Sequence, residues 1–321
     1  MTPASSVLCC GLATLDVVQT VDHVPAPDEK VQARGLAVSS GGPAANAAVT
    51  VAALGRPSTL LTRAGGSVLG RLVVADLEAH GVTVHDVGGP EDSPAVSTVL
   101  VTAGTGERAV VSVNAAAAGT GPTASDDDVA RLVRGASAVL VDGHHLDLAV
   151  PVARAARAAR VPVLLDGGSW KPGLEDLLAL TDVALLSADL RAPGAQDPRG
   201  PDGDEALLRA VAAYGPRLVA RSQGGAAIRV LTPDGVVEVD VPRVPVRDTL
   251  GAGDVLHGAL AAWLAGHGAR DVPGLRAGLA FAAGVASASC SADGARGWLR
   301  DADVVAGLRA ALGDEPGEGP D

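Results

Sequence analysis

Short β-branched runs alternate with longer alanine- and leucine-rich amphipathic stretches along most of this chain, and that alternation decides the fold class. The runs at 7–12, 58–63, 138–141, 161–166 and 183–187 read as short buried strands. Helical stretches are expected at 43–54, 69–80, 148–159 and 173–180, and at 252–265, 272–288 and 302–312 in the last third. After a strand at 218–221, the runs 227–231 and 236–241 predict a hairpin across Pro233-Asp234-Gly235. The fold class expected is α/β, with a mostly parallel central sheet and helices on both faces. Two places break the alternation: 17–24 followed by 31–39, and 94–102 followed by 107–113, each pair without a helix between. They are expected to form hairpins in a small second sheet, either a lid over the carboxyl ends of the parallel strands or an edge decoration.

Composition narrows the function. Apolar residues make up 47% of the 321-residue chain and aromatics 2%, so a large core must be built from Ala, Val and Leu. A net charge of −12 with few stacking aromatics makes nucleic acid and an anionic membrane poor partners. Cys9, Cys10 and Cys290 have neither a disulfide framework nor metal-ligand spacing, which fits a reducing, cytoplasmic setting. No apolar run is long enough for a membrane span, and no signal peptide is expected. The Gly/Pro/acidic tail 313–321 is expected to be disordered.

Two glycine-rich loops open helices. Asp248-Thr249-Leu250-Gly251-Ala252-Gly253-Asp254 leaves first-turn amides uncovered, which makes an anion-binding nest with help from the helix dipole. Asp254 sits beside that nest. A carboxylate there repels a bound phosphate, but it makes sense if it takes a proton from a hydroxyl attacking that phosphate. The plainer alternative is an N-capping Asp on a glycine-rich turn. Ser40-Gly41-Gly42-Pro43-Ala44-Ala45-Asn46 is the second loop, with Pro43 suited to a first helical position and Asn46 one turn in. Alone, it reads equally as a tight strand-to-helix turn.

Taken together, Gly41–Ala47 running to Gly55 and Asp248–Asp254 running to Gly258 resemble the two signatures of the ribokinase-like, or PfkB, sugar kinases. Within that family the motifs are similar to those of ketohexokinases and bacterial sulfofructose kinases. The resemblance extends to about Asp303 and implies a single kinase domain over 1–312, with lid strands from about 17–39 and 94–113. It implies ATP-dependent phosphorylation of a sugar hydroxyl, on a ketohexose-like acceptor, with Mg2+ accompanying ATP. Asp254 would be the base, and the amides of Gly251, Ala252 and Gly253 the anion hole. Asp16, placed at the end of the first strand, would hold sugar hydroxyls with Gly42 and Asn46. Lys30, in the lid, falls where sulfofructose kinases read an anion, although His144 stands where their assisting Arg is found. Ser222, Gly224 and Gly225 occupy the nucleotide loop, where Ala227 replaces a family glycine. Asp189 stands near the group that steadies magnesium waters, and Asp248 and Thr249 match positions near a monovalent cation site, K+ in some relatives. A homodimer through the lid is a candidate assembly. Two other readings stay open: a nucleoside kinase of the same fold, for which the lid lacks aromatics, and a non-catalytic binding protein, against which Asp254 argues. The other familiar signatures are absent. Gly65-Gly66-Ser67-Val68-Leu69-Gly70 lacks the lysine of a phosphate loop, and no His-Glu-x-x-His or Gly-x-Ser-x-Gly occurs.

Overall fold

A computed structural model describes residues 5–113, 124–193, 203–268 and 271–313. Its order is β1 (Val7–Cys10), β2 (Thr14–Val21), β3 (Gly35–Gly41), α1 (Pro43–Ala53), β4 (Ser58–Thr62), α2 (Val68–Ala79), β5 (Val82–Asp86), β6 (Ala95–Thr102) and β7 (Arg108–Ser112). Next come α3 (Asp126–Arg134), β8 (Ala138–Val141), α4 (Leu146–Ala159), β9 (Val163–Gly167), α5 (Leu174–Leu178), β10 (Val183–Leu186) and α6 (Gly203–Ala212). The chain closes with β11 (Leu218–Gln223), β12 (Ala226–Thr232), β13 (Gly235–Val239), α7 (Ala252–His267), α8 (Val272–Ser289), a 3-10 turn at Gly297–Arg300 and α9 (Ala302–Leu312).

The large sheet runs β13-β12-β11-β10-β9-β8-β1-β4-β5. It is parallel from β5 to β11, and antiparallel only through the β11–β12–β13 hairpins. Successive side chains of a strand point to opposite faces, so β1 feeds two cores. Val7 and Cys9 join Leu60, Leu140 and Leu164 in a core with α1, α7 and α8. Leu8 and Cys10 join Leu61, Val139 and Val141 on the other face, against α3, α4 and α6. Both cysteines are buried free thiols pushed well above the ordinary thiol range by burial, then by Asp142, so neither is a nucleophile.

The second sheet has the order β3-β2-β6-β7. Each expected hairpin is antiparallel, and β2 pairs β6 in parallel to join them. Its boundaries correct the sequence reading. The second sheet begins at Thr14, not Val17, and β1 ends at Cys10. Asp16 therefore lies within a lid strand, opposite Ser39 and Ser97, and does not close the first strand. Val31–Arg34 is loop, and Lys30 is exposed in it. Three elements were not foreseen: edge strand β5, α3 and α6. The tail beyond Gly313 lies outside the described residues.

Candidate active site

Helix α7 starts at Gly251, which holds a left-handed φ of 71° where a Cβ would come 2.8 Å from that of Ala295. A Cβ at Gly253 would meet nothing within 4 Å, so open space lies above the first turn. The Ala252 amide turns back to the Thr249 carbonyl at 3.3 Å, leaving the amides of Gly253 and Asp254 as first-turn donors without intrahelical acceptors. Asp254 is half-buried and accepts from Asn46 Nδ2 at 2.8 Å. Burial, then the Asp166 charge, push its carboxyl up to about 7, opposed by the Asn46 hydrogen bond and by His257. A group poised there can accept a proton at neutral pH.

Small residues make the Asn46–Asp254 contact possible. A Cβ at Gly258 would lie 2.5 Å from the Ala47 carbonyl oxygen, so α1 and α7 touch nearly backbone to backbone. Asn46 is fixed from its other side. Arg296 Nη2 donates to Asn46 Oδ1 at 3.2 Å and to Ser40 Oγ at 2.8 Å, while Nη1 donates to Asp76 Oδ2 at 2.7 Å. Asp76, Arg296, Asn46 and Asp254 thus form one chain of contacts. Asp16 closes this wall: its carboxylate lies over Gly41, where a Cβ could not fit, and accepts from Thr14 Oγ1 at 2.7 Å. Gly42 caps α1 at φ 96°, pressed against the Leu12 carbonyl.

Beneath the site, carboxylates end two buried strands. Asp142 follows β8 and accepts from the amides of Leu12 (2.8 Å), Ala44 (3.2 Å) and His144 (2.9 Å), so it staples the α1 start to the sheet. Burial opposes its charge, but the His144 ring and these amides together hold its carboxyl well below the usual range. Asp166, in β9, is pushed up by burial against the pull of His257, whose Nδ1 is 3.3 Å away. His257 Nε2 lies 3.0 Å from the Leu185 carbonyl oxygen, which locks the ring between α7 and β10. Beside them, burial lowers the Lys171 amine, opposed by Asp142 and Asp166. Burial also works against charge on His144, but Asp142 more than offsets it, so His144 is raised. Lys171 Nζ donates to the Gly143 carbonyl oxygen at 3.4 Å and His144 Nδ1 lies 3.4 Å from Asp142 Oδ1, so both side chains adjoin the carboxylate that follows β8.

A cavity of about 580 Å³ adjoins the start of α7. Ser222, Gly224 and Gly225 line one end and Thr249, Ala252 and Gly253 the other, with Ile228, Val241, Val244, Leu256 and Ala283 between. Asp204 of α6 braces the β11–β12 turn: it pairs with Arg221 and accepts from Gln223 Nε2 at 2.6 Å.

The structure brings together Asp16, Gly42, Asn46, Gly251, Ala252, Gly253 and Asp254, and separately Ser222, Gly224 and Gly225. Asp189 is exposed on the turn after β10 and is not among the cavity-lining residues, although its neighbours Ser187 and Ala188 are. Asp248 is engaged by protein groups: Oδ1 pairs with Arg108 and accepts from the Leu250 amide at 2.9 Å, and Oδ2 accepts from the Gly294 amide at 2.9 Å. Sequence reasoning missed Asp142, Asp166, Lys171, His257 and Arg296. For the first two a signal existed, a carboxylate directly ending or following a wholly apolar run.

Residues 4–301 match the pfkB family of carbohydrate kinases. The chain is 30% identical over 261 residues to an ATP-dependent ribose-1-phosphate kinase of Halopiger xanaduensis, spanning 80% of this chain and 84% of that protein. It is 28% identical to a ribokinase of Arabidopsis thaliana, over 80% of this chain and 70% of the relative. The solved structure of Arabidopsis thaliana ribokinase with ribose and ATP superimposes with a TM-score of 0.74 at 22% identity, covering 96% of this chain and 99% of that one. No helix among the described residues is long and apolar enough to cross a membrane.

Proposed function

Because the chain belongs to the pfkB family of carbohydrate kinases, its general reaction is ATP-dependent phosphorylation of a sugar, and we propose that the acceptor is a ribose-class sugar with Asp254 as general base. The observation that carries the base is the Asp254 carboxylate at the open start of α7, 2.8 Å from Asn46 Nδ2 and pushed up to about 7 by burial and Asp166. An acceptor hydroxyl between Asn46 and the helix start would give its proton to Asp254 while its oxygen attacks the γ-phosphorus, the bond from that phosphorus to the β,γ-bridging oxygen breaks and ADP leaves. The amides of Gly251, Gly253 and Asp254 would face the phosphoryl oxygens, whereas the Ala252 amide expected there is turned back to the Thr249 carbonyl. Asp16, Asn46 and Gly42 would hold the remaining sugar hydroxyls. Ser222, Gly224 and Gly225 would line the nucleotide's seat, with its base among the aliphatic residues of the cavity.

A magnesium ion bound with ATP would keep several waters and would ask few direct ligands of the protein. The exposed Asp189 carboxylate, on the turn that Ser187 and Ala188 extend into the cavity, suits a water-mediated contact; the ion would neutralise phosphate charge.

The named relatives act on ribose and ribose-1-phosphate, which moves the acceptor away from the ketohexose expected from the motifs. The ribose-1-phosphate kinase among the relatives favours the phosphorylated ribose, and Lys171, which reaches the Gly143 carbonyl oxygen at 3.4 Å beside Asp142, is the cation we assign to its phosphate. ATP turnover on ribose-1-phosphate, ribose and fructose tests the reading. The highest kcat/KM is expected on ribose-1-phosphate, with a loss of more than about tenfold in Lys171→Met on that substrate alone. A preference for fructose contradicts the proposal.

A further inference from the structure

By the family resemblance Asp248 and Thr249 match positions near a monovalent cation site in some relatives, but their contacts here do not fit a bound cation. Thr249 is exposed and faces the cavity. Asp248 Oδ1 is shared between Arg108 and the Leu250 amide, and Oδ2 is taken by the Gly294 amide. A second cation here would sit against a guanidinium of the same sign. Arg108 comes from β7, at the far edge of the lid sheet, and reaches across to the loop that opens α7. Its Nε is buried without a partner, so Asp248 is the contact that holds the guanidinium in place.

Asp248 is also a staple. Through the Leu250 amide it shapes the turn into Gly251, and through Gly294 it holds the segment carrying Ala295, which abuts Gly251, and Arg296, which fixes Asn46. Both the anion hole and the partner of Asp254 hang from this one carboxylate. We propose that Arg108 supplies from the lid the positive charge that a monovalent cation would supply at Asp248, so that lid closure, not potassium, sets the anion-hole loop. The inference rests on the kinase reading above. Arg108 is a positioning residue, acting through Asp248 and not on the substrate.

The test compares wild type, Arg108→Ala and Arg108→Lys in potassium chloride and in tetramethylammonium chloride at equal ionic strength. Initial rates are measured with MgATP and ribose-1-phosphate, and thermal melting is followed alongside. Wild type and Arg108→Lys are expected to change less than about twofold between the salts, since a fixed cation already balances Asp248. Arg108→Ala is expected to lose about tenfold in kcat/KM in tetramethylammonium and to regain several-fold in potassium, with a melting temperature that rises on potassium addition. A purely structural arginine would not create a potassium response. Wild type activated tenfold by potassium, or Arg108→Ala indistinguishable from wild type in both salts, overturns the inference. If ribose-1-phosphate, ribose and fructose are all left untouched, the functional reading fails. The melting series still decides the role of Arg108 in that case: potassium must stabilise Arg108→Ala and not wild type.

Discussion

Replacing Asn46 with Ala removes the side-chain donor that holds the Asp254 charge down. Asn46 Nδ2 lies 2.8 Å from Asp254 Oδ2, and its hydrogen bond opposes the burial and the Asp166 charge that together leave the carboxyl at about 7. A hydrogen bond to an ionised group is worth about 1.5–3 kcal/mol, and 1.36 kcal/mol corresponds to one pH unit. Water entering the space of the lost amide recovers part of this, so the carboxyl should move up by about one unit. At pH 7 the ionised fraction then falls from about a half to about a tenth, a loss of about fivefold in kcat/KM from ionisation alone. Any weakening of acceptor binding adds a loss that does not vary with pH. The two separate in a pH profile of kcat/KM from pH 5.5 to 9.5. Wild type should rise through an inflection near 7, and Asn46→Ala should rise later and recover most of the ionisation loss by pH 9. An inflection that stays in place, or moves to lower pH, refutes the coupling of Asn46 to the base.

Other outcomes follow from the same contacts. Asp204→Ala leaves the buried Arg221 charge unbalanced and should cost about 3–5 kcal/mol, with a raised KM for ATP and a KM for the sugar nearly unchanged. Gly258→Ala should force α1 from α7 and cost about 1–3 kcal/mol in denaturant unfolding, with a lower kcat because Asn46 moves off Asp254. Leu36, Val38 and Val111 are exposed on one face of the second sheet, so the chain should sediment as a dimer through that face, and Val38→Asp as a monomer.

Local periodicity made the order of elements legible, and the misses have local causes. Strand β5 is a five-residue edge segment whose last residues, His85 and Asp86, hide its apolar start. Helix α3 opens with Asp126, Asp127 and Asp128 and keeps only Val129 and Val133 buried, so its polar composition resembles a loop. The glycine loops were legible because their chemistry is contiguous: Gly41–Asn46 and Asp248–Asp254 each carry donors, turn and functional side chain together. Residues joined only by topology were not. Arg296 is 250 positions from Asn46, and Arg108 is 140 positions from Asp248; no spacing rule connects either pair. The misplacement of Asp16 has a similar origin. A strand ending at Cys10 and another starting at Thr14 are separated by a short turn that periodicity reads as continuous.

Substituting Asn for Asp254 tests the central claim most directly, because it keeps the shape and the helix start but removes the proton acceptor. Turnover of ATP with ribose-1-phosphate should fall by about 10²–10⁴-fold, while MgATP affinity measured by calorimetry stays within about threefold. Stability supplies an internal control. The folded carboxyl is raised to about 7, above its ordinary value of 3.8, so its contribution is present below pH 4 and lost as pH rises through 7. Asp254→Asn should therefore melt higher than wild type at pH 8 and equal to it at pH 4, which shows the variant to be folded when it is inactive. A variant that turns over within about tenfold of wild type, while showing that stability pattern, contradicts the assignment of Asp254 as the base.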